Sequence, residues 1–294
     1  VQILVTGATG YLGRSVVLAL TADGHHVTGL TRDPTSARAT SLERAGVTVA
    51  RGDLADPDTY APLLADADAV VHTAVDDGDP SGSDEQLFAA IVAADDADHR
   101  RRHVVYTTGC STFGSEPHTV LTEDTPVDPE NPRARLEAAL RDTGLPATVI
   151  RPAMVHGGDA RSSIVGRWFA EAVDGRVTHH GSPGKLWSWV HVDDAAEAYA
   201  AVLREPAAHA GQVYLLADDR ATPALTVLTE AARVAGSDDA VTFAPIAEES
   251  AAYRVFDKDE VVDATKARTR LGWHPSRPDV LAELPASFAA WSRA

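Results

Sequence analysis

Short β-branched and apolar runs alternate with amphipathic stretches through the first half of the chain. The strand-like runs are QILVTG, HHVTGL, VTVARG, ADAVVHTA, RHVVYTTG and ATVIRP. Between them, YLGRSVVLALTADG, PDTYAPLLADA, SDEQLFAAIVAADDADHR and ENPRARLEAALRDTG carry apolar residues at helical spacing. Gly24, Gly46 and Gly144 fall where helices should end. Alternation at this pitch predicts βαβ units, and hence a parallel sheet covered on both faces.

The rhythm changes beyond residue 152. Helix-like segments at 161–174, 193–204, 223–236, 263–270 and 279–292 dominate, with short strands near 186–190, 212–216 and 241–243. The expected architecture is α/β. A Rossmann-type, doubly wound parallel sheet spans 1–152, and a smaller, mostly helical substrate-binding lobe spans 153–294, crossing back to the sheet near 186–216. In HVDDAAEAY, Asp194 and Glu197 have the spacing of a helix capping box, with Asp in place of the usual Ser or Thr. No internal repeat, low-complexity segment or linker interrupts this pattern.

The 294 residues carry a formal charge of −17, spread along the chain. That balance favours solubility and opposes nonspecific binding to nucleic acid or anionic membranes. An anionic ligand therefore needs local help from Arg or from helix N-termini. Lysine is confined to Lys185, Lys258 and Lys266, which together with heavy use of Ala and Asp suggests a GC-rich bacterial genome. Cys110 is the sole cysteine, so no internal disulfide can form. No apolar run approaches the roughly 20 residues of a membrane span, and no signal-like segment opens the chain. The expectation is a cytoplasmic protein, monomer or homodimer, acting on a small molecule, with no membrane or nucleic-acid partner.

The stretch LVTGATGYLG places Gly7, Gly10 and Gly13 between a strand and a helix. Gly7 permits the tight turn, Gly10 lets the backbone approach a pyrophosphate, and Gly13 lets helix and strand pack closely. Free N–H groups at the helix start then face the phosphates. At the end of the second strand, GLTRDP offers Thr31 and Arg32, with Ser36 and Arg38 nearby, where an NAD-selective site carries an acid. A guanidinium there suits a 2′-phosphate, so NADP(H) is expected over NAD(H), although Asp33 follows directly. Asp53 stands either to accept the adenine amino group or to cap a turn. His72, in VVHTA at the end of the fourth strand, reads as a packed strand-end histidine.

With these residues in place, the chain resembles the extended short-chain dehydrogenase/reductase family, also called the NAD-dependent epimerase/dehydratase family. The matching motifs are TGATGYLG, GDL, VVHTA, VIRPAMVHG, WVHVDDAAEAY and RLGWHP, running nearly end to end. The resemblance implies cofactor contacts from Gly7, Thr9, Gly10, Tyr11, Leu12 and Gly13, from Thr31, Arg32, Arg38, Asp53 and Leu54, and from Thr73, Ala74 and Val75. It adds Thr107, Arg133, Pro152, Ala153 and Val155.

The family's chemistry commonly uses a Ser or Thr hydroxyl and a Tyr four residues before a Lys. Tyr11, Tyr60, Tyr106, Tyr199, Tyr214 and Tyr253 are followed at that spacing by Ser15, Leu64, Cys110, Leu203, Asp218 and Asp257. None is Lys. Pro129 and Arg133 stand where Tyr and Lys are expected, and Gly109 stands at the hydroxyl position. What remains resembles an atypical branch in which YTSG-x-x-x-x-G is followed by Arg and, four residues on, Glu. Here these are YTTGCSTFG, Arg133 and Glu137. Arg133 either holds a ribose or substrate oxygen or forms a surface pair with Glu137.

Proton transfer then falls to water or to a residue other than Tyr, with Thr108, Ser111 and His156 as candidates and Arg133 holding the substrate. Cys110 reads as a buried small apolar residue. The run HHGSPGKLWSWVH gathers His179, His180, Lys185, Trp187, Trp189 and His191 without metal-ligand spacing, so no metal is expected. Trp187 and Trp189 read as core, and His191 as the anchor of the loop before a helix. These features predict an NADPH-dependent reductase of a small ketone or imine, of secondary-metabolite type. Two readings compete with it: a sugar-nucleotide epimerase or dehydratase with bound cofactor, whose diphosphate anchors would be Arg161, Arg167 and Arg176, and a non-catalytic NADP(H) sensor or scaffold.

Overall fold

The computed structural model describes residues 1–75, 80–114, 120–159, 163–237, 241–248, 254, 256–277 and 279–293. The first half runs β1 (Gln2–Thr6), α1 (Tyr11–Ala22), β2 (His26–Thr31), α2 (Ala37–Arg44), β3 (Thr48–Arg51), α3 (Ala61–Leu64) and β4 (Ala69–His72). It continues through α4 (Pro80–Asp98), β5 (His103–Thr107), β6 (Val120–Leu121), α5 (Pro132–Asp142) and β7 (Ala147–Pro152). The second half opens with β8 (Met154–His156), α6 (Ile164–Val173), β9 (Thr178–His180), β10 (Leu186–Trp187), β11 (Trp189–His191) and α7 (Val192–Arg204). It closes with α8 (Pro206–His209), β12 (Val213–Leu216), β13 (Thr222–Pro223), α9 (Ala224–Val234), β14 (Thr242–Ala244), β15 (Val261–Val262), α10 (Thr265–Leu271) and α11 (Val280–Arg293).

Seven strands form one sheet in the order β3-β2-β1-β4-β5-β7-β12, and every pairing in it is parallel. The strand order reverses between β1 and β4, so a crevice opens at the carboxyl ends of these two strands. Val16, Val17 and Leu20 of α1 pack with Ala195, Ala196 and Tyr199 of α7 on one face. Leu87, Phe88 and Ile91 of α4 pack with Leu136 and Leu140 of α5 on the other. The sheet is therefore doubly wound. A third core gathers Trp168, Phe169, Trp187, Trp189, Val227, Leu228 and Leu284 from α6, β10, β11, α9 and α11.

Several local expectations change form. Gly24, Gly46 and Gly144 do follow helix ends, at φ of 86°, 88° and 72°. The stretch 57–67 is a single 3-10 turn plus the short α3 rather than one helix, because Pro57 and Pro62 each restart the chain. The tract 186–190 splits at Ser188: β10 pairs antiparallel with β13, and β11 pairs parallel with β8. The cap of α7 is His191, whose Nδ1 accepts from the Asp193 N–H at 3.2 Å. Asp194 is thus not the cap. It is buried in the first turn, where its carboxylate accepts from the Ser276 hydroxyl (2.7 Å) and the Arg277 N–H (2.8 Å).

Candidate active site

At the carboxyl end of β1, Gly7 turns the chain at φ 71°, and the Gly10 N–H donates to its carbonyl at 2.8 Å. A Cβ on Gly7 would meet the Ala74 backbone at 2.7 Å. One on Gly13 would sit 2.1 Å from the Gly7 carbonyl oxygen and 2.5 Å from Thr73 Oγ1. The loop, α1 and the end of β4 thus approach more closely than side chains allow. The Thr73 hydroxyl locks the approach by donating to the Thr6 carbonyl at 2.7 Å. Gly10 is the N-cap of α1 and provides no side-chain cap, which leaves first-turn N–H groups for an anion. The Tyr11 hydroxyl donates to the Gly157 carbonyl at 2.6 Å, so it ties α1 to the loop after β8.

At the end of β2, Thr31 Oγ1 lies 3.3 Å from Thr9 Oγ1. Asp33 is spent locally: its Oδ1 accepts from the Thr35 N–H (2.9 Å) and hydroxyl (2.6 Å), which holds the carboxyl below its usual range. Arg32 is exposed. Arg38 reaches over the glycine loop, donating to the Thr9 carbonyl (3.2 Å) and to Asp159 (3.0 Å). Asp53 Oδ1 accepts from the Ala55 N–H at 3.1 Å, a turn-capping arrangement, and Leu54 is buried beside it. Val75 is exposed at the end of the β4 loop, with Ala74 half-buried.

The ends of β5 and β7 face each other around a cavity of about 230 Å³, lined by residues 107–111 and 152–155 with Leu12, Phe256 and Glu260. Thr107, Thr108, Ser111, Pro152, Ala153 and Val155 therefore converge on one space. Gly109 is extended (φ 162°), and a Cβ there would find Ser111 Oγ at an ordinary 3.5 Å. A second cavity, about 310 Å³, lies by the amino ends of β5 and β7 beside His99, Arg101 and Leu145, away from these residues.

Thr107 Oγ1 is 2.8 Å from the buried Tyr199 hydroxyl, and the Thr108 hydroxyl donates to Glu137 Oε1 at 2.6 Å. The surface pair between Arg133 and Glu137 does not form. Glu137 is buried, and Arg151 donates to it through Nε (2.9 Å) and through a second, shorter bond. Arg133 instead lies half-buried at the start of α5, donating to the Thr107 carbonyl at 3.5 Å and facing the Tyr106 hydroxyl.

His156 does not fit the expectation of a proton donor. It is sealed in β8 against His191 and Trp189, and neither ring nitrogen has a partner among the described residues. Burial, with His191 nearby, pushes it down to about 3, so the ring is neutral at physiological pH. Gly157, at φ 87°, makes room for His191, since a Cβ there would fall 2.0 Å from Nε2. Trp187 and Trp189 are fully buried. Cys110 is buried, and that burial pushes its thiol up. Arg167 pairs with Glu171 along α6, Arg176 is exposed, and Arg161 lies outside the described residues.

Three features were not read from the sequence. Asp84 accepts from the Tyr106 hydroxyl (2.6 Å) and lies 2.9 Å from His72 Nε2, while His72 Nδ1 lies 2.5 Å from Thr6 Oγ1; this buried chain runs beneath the crevice. Lys258 is buried and donates to the carbonyls of Phe113 (3.0 Å) and Cys110 (3.3 Å). Glu260 enters the cavity itself. Each depends on a contact distant in sequence, and only the identity of Asp84, twelve residues after His72 on the next helix, offered a signal. Among the described residues, no helix is long and apolar enough to cross a membrane, and no group of three His, Cys, Asp or Glu is placed to hold a metal ion.

The model of the NAD dependent epimerase/dehydratase family matches residues 3–217. A UDP-glucose 4-epimerase of Mycolicibacterium smegmatis is 30% identical over 303 residues, covering 92% of this chain and 93% of that protein. A 3-diazoavenalumate denitrifying reductase of a Streptomyces species is 29% identical over 305 residues, covering 94% and 97%. The crystal structure of a Bacillus cereus UDP-glucuronic acid 4-epimerase in complex with NAD superposes with a TM-score of 0.82 at 20% identity, covering 100% of this chain and 99% of that one. A glycine loop at the sheet's switch point, a cavity at the ends of β5 and β7 and a family match over most of the length agree: the chain belongs to the NAD-dependent epimerase/dehydratase family.

Proposed function

We propose that the chain is an NADPH-dependent reductase of a small ketone or imine that works without a Tyr–Lys proton relay. The observation that carries this reading is the cavity at the ends of β5 and β7. It is small, flanked by Gly109, Thr108 and Ser111, and of the anchor candidates among the described residues neither Arg167 nor Arg176 lines it. A nucleotide-sugar diphosphate needs such cations, and a small carbonyl compound does not.

The glycine cradle fits a dinucleotide, because only glycine at positions 7 and 13 leaves the backbone this close. Arg38 in the first turn of α2, with Asp33 committed to its own turn, supports NADP(H) over NAD(H). When bound, the cofactor supplies a hydride from its nicotinamide. The chain's own residues orient the partners: Thr73 and Gly13 set the loop, and Pro152, Ala153 and Val155 wall the cavity. Arg133, beside the Thr107 carbonyl at the start of α5, is assigned the role of donor to a substrate or ribose oxygen. Holding donor and acceptor in near-attack geometry supplies on the order of 7–11 kcal/mol at best, so turnover does not require the lost tyrosine.

The test is NADPH consumption with a panel of small ketones, quinones and imines. Saturable turnover of at least one acceptor is expected. Conversion of a UDP-sugar with no net NADPH consumption would favour the epimerase reading, which the 30% identical relative supports. Tight NADPH binding with no turnover of either class would favour a sensor.

A further inference from the structure

Reduction of a carbonyl or imine needs a proton from a group that faces the cavity and is free to release it. Thr108 donates its hydroxyl proton to Glu137, and the hydroxyls of Tyr106 and Tyr199 are engaged by Asp84 and Thr107 in the interior. His156 is sealed and neutral. Ser111 also lines the cavity, but an alcohol is far too weak an acid to give up its proton unaided, and the carboxyl in the lining is that of Glu260. Glu260, 5% exposed, is laced across β10: its N–H donates to the Leu186 carbonyl (2.8 Å) and its carbonyl accepts from the Ser188 N–H (2.7 Å). The residue lines the cavity beside Gly109, Cys110 and Ser111, and no hydrogen-bond donor reaches its carboxyl among the described residues. A buried carboxyl without donors is held in its neutral form.

Resting on the reductase reading, we infer that Glu260 is the proton donor of the reaction, delivering its carboxyl proton to the substrate heteroatom in this cavity. The substrate's electrophilic carbon accepts the hydride of NADPH and becomes C–H. Its oxygen or nitrogen takes the π pair and the Glu260 proton, so the substrate is reduced and NADPH is oxidised to NADP⁺. The resulting carboxylate regains a proton from water.

The environment agrees with that role. Burial pushes the Glu260 carboxyl up to about 7, and Lys258 acts in the opposite sense. Lys258 aims its ammonium at the carbonyls of Cys110 and Phe113. The Cys110 thiol, the titratable group facing from the loop after β5, is itself pushed up and stays neutral. The proton is thus available below about pH 7 and lost above it, which suits an acid working near neutrality.

Two measurements test this. In ligand-free protein labelled with ¹³C at the glutamate carboxyls, one resonance should titrate with a midpoint near 7 and vanish in Glu260→Gln. With NADPH and an acceptor, Glu260→Gln should lower kcat by at least ~100-fold, with NADPH affinity within about twofold of wild type. Glu260→Asp should retain part of the rate with a displaced alkaline limb, which also serves if the Gln variant does not fold. A midpoint near the ordinary glutamate value, or an acceptor turned over equally by wild type and Glu260→Gln, would overturn the role of Glu260 alone. Wild-type protein that binds NADPH but reduces nothing would overturn the reductase reading, and this assignment with it.

Discussion

The Thr108 hydroxyl donates to Glu137 across 2.6 Å, and Arg151 holds the same buried carboxylate from the other side. This arrangement ties the first turns of α5 to the ends of β5 and β7, the two strands whose ends border the cavity. Glu137→Ala would leave the Arg151 guanidinium buried and unpaired. The expected loss is about 3–5 kcal/mol of stability, measured by urea denaturation. Glu137→Gln should cost less, since it retains an acceptor for both partners.

Arg133 has the opposite profile. It is half-buried and has no acidic partner among the described residues, so Arg133→Ala should move stability by no more than ~1 kcal/mol. Turnover should fall about 10–100-fold, with NADPH affinity retained, if the proposed charge-assisted hydrogen bond to a substrate oxygen is lost. Steady-state kinetics beside fluorescence binding would separate the two effects.

Glycine positions divide by what surrounds them. Gly13→Ala forces a Cβ against the Gly7 carbonyl, which is backbone and cannot swing aside, so NADPH binding should weaken at least ~10-fold. Gly109→Ser introduces only ordinary contacts on extended backbone. Its melting temperature should stay within about 3 °C of wild type. A Gly109→Ser protein that fails to fold would show that the loop after β5 is tighter than described.

Cofactor choice should respond to Arg38. Arg38→Ala removes a guanidinium from the first turn of α2 and also releases Asp159. NADPH affinity should drop about tenfold or more while NADH affinity changes little, as measured by calorimetric titration with each nucleotide.

Acid should act through the sealed histidine. His156 sits at about 3 in the folded protein against 6.5 unfolded, so the unfolded chain binds more protons between those values. Its contribution is complete above pH 6.5 and is lost as pH falls toward 3. Removing the site with His156→Leu should therefore make the variant gain about 2 kcal/mol relative to wild type on going from pH 7 to pH 5. Denaturation curves for both proteins at both pH values measure that difference. Glu260 and Asp218, both raised to about 7 by burial, oppose the trend in the wild-type total, so the comparison between variants is the informative one.

Much of the cofactor half was legible because backbone demands are written in residue identity. Gly7, Gly10 and Gly13 announce a close approach whatever surrounds them, and the absence of any Lys four residues after a Tyr is visible by inspection. The strand Met154–His156 is not legible in the sequence because Pro152 closes the preceding apolar run and its pairing partner lies 35 residues on. Helix α2 was missed because ARATSLER has little apolar character. Glu137 offered Arg133 as a partner at helical spacing, but Arg151 on the adjacent strand outcompetes it. Glu260 was invisible for the same reason: a contact across about 150 residues leaves no period or motif to read.

Transfer of label from the cofactor tests the central claim most directly. NADPH carrying deuterium at nicotinamide C4 would be incubated with the protein and each acceptor of the ketone and imine panel, and products analysed by mass spectrometry. The expected result is one deuterium at the former C=O or C=N carbon and one NADP⁺ formed per product. Recovery of unconsumed cofactor with label-free product, or with an epimerised sugar nucleotide, would contradict it.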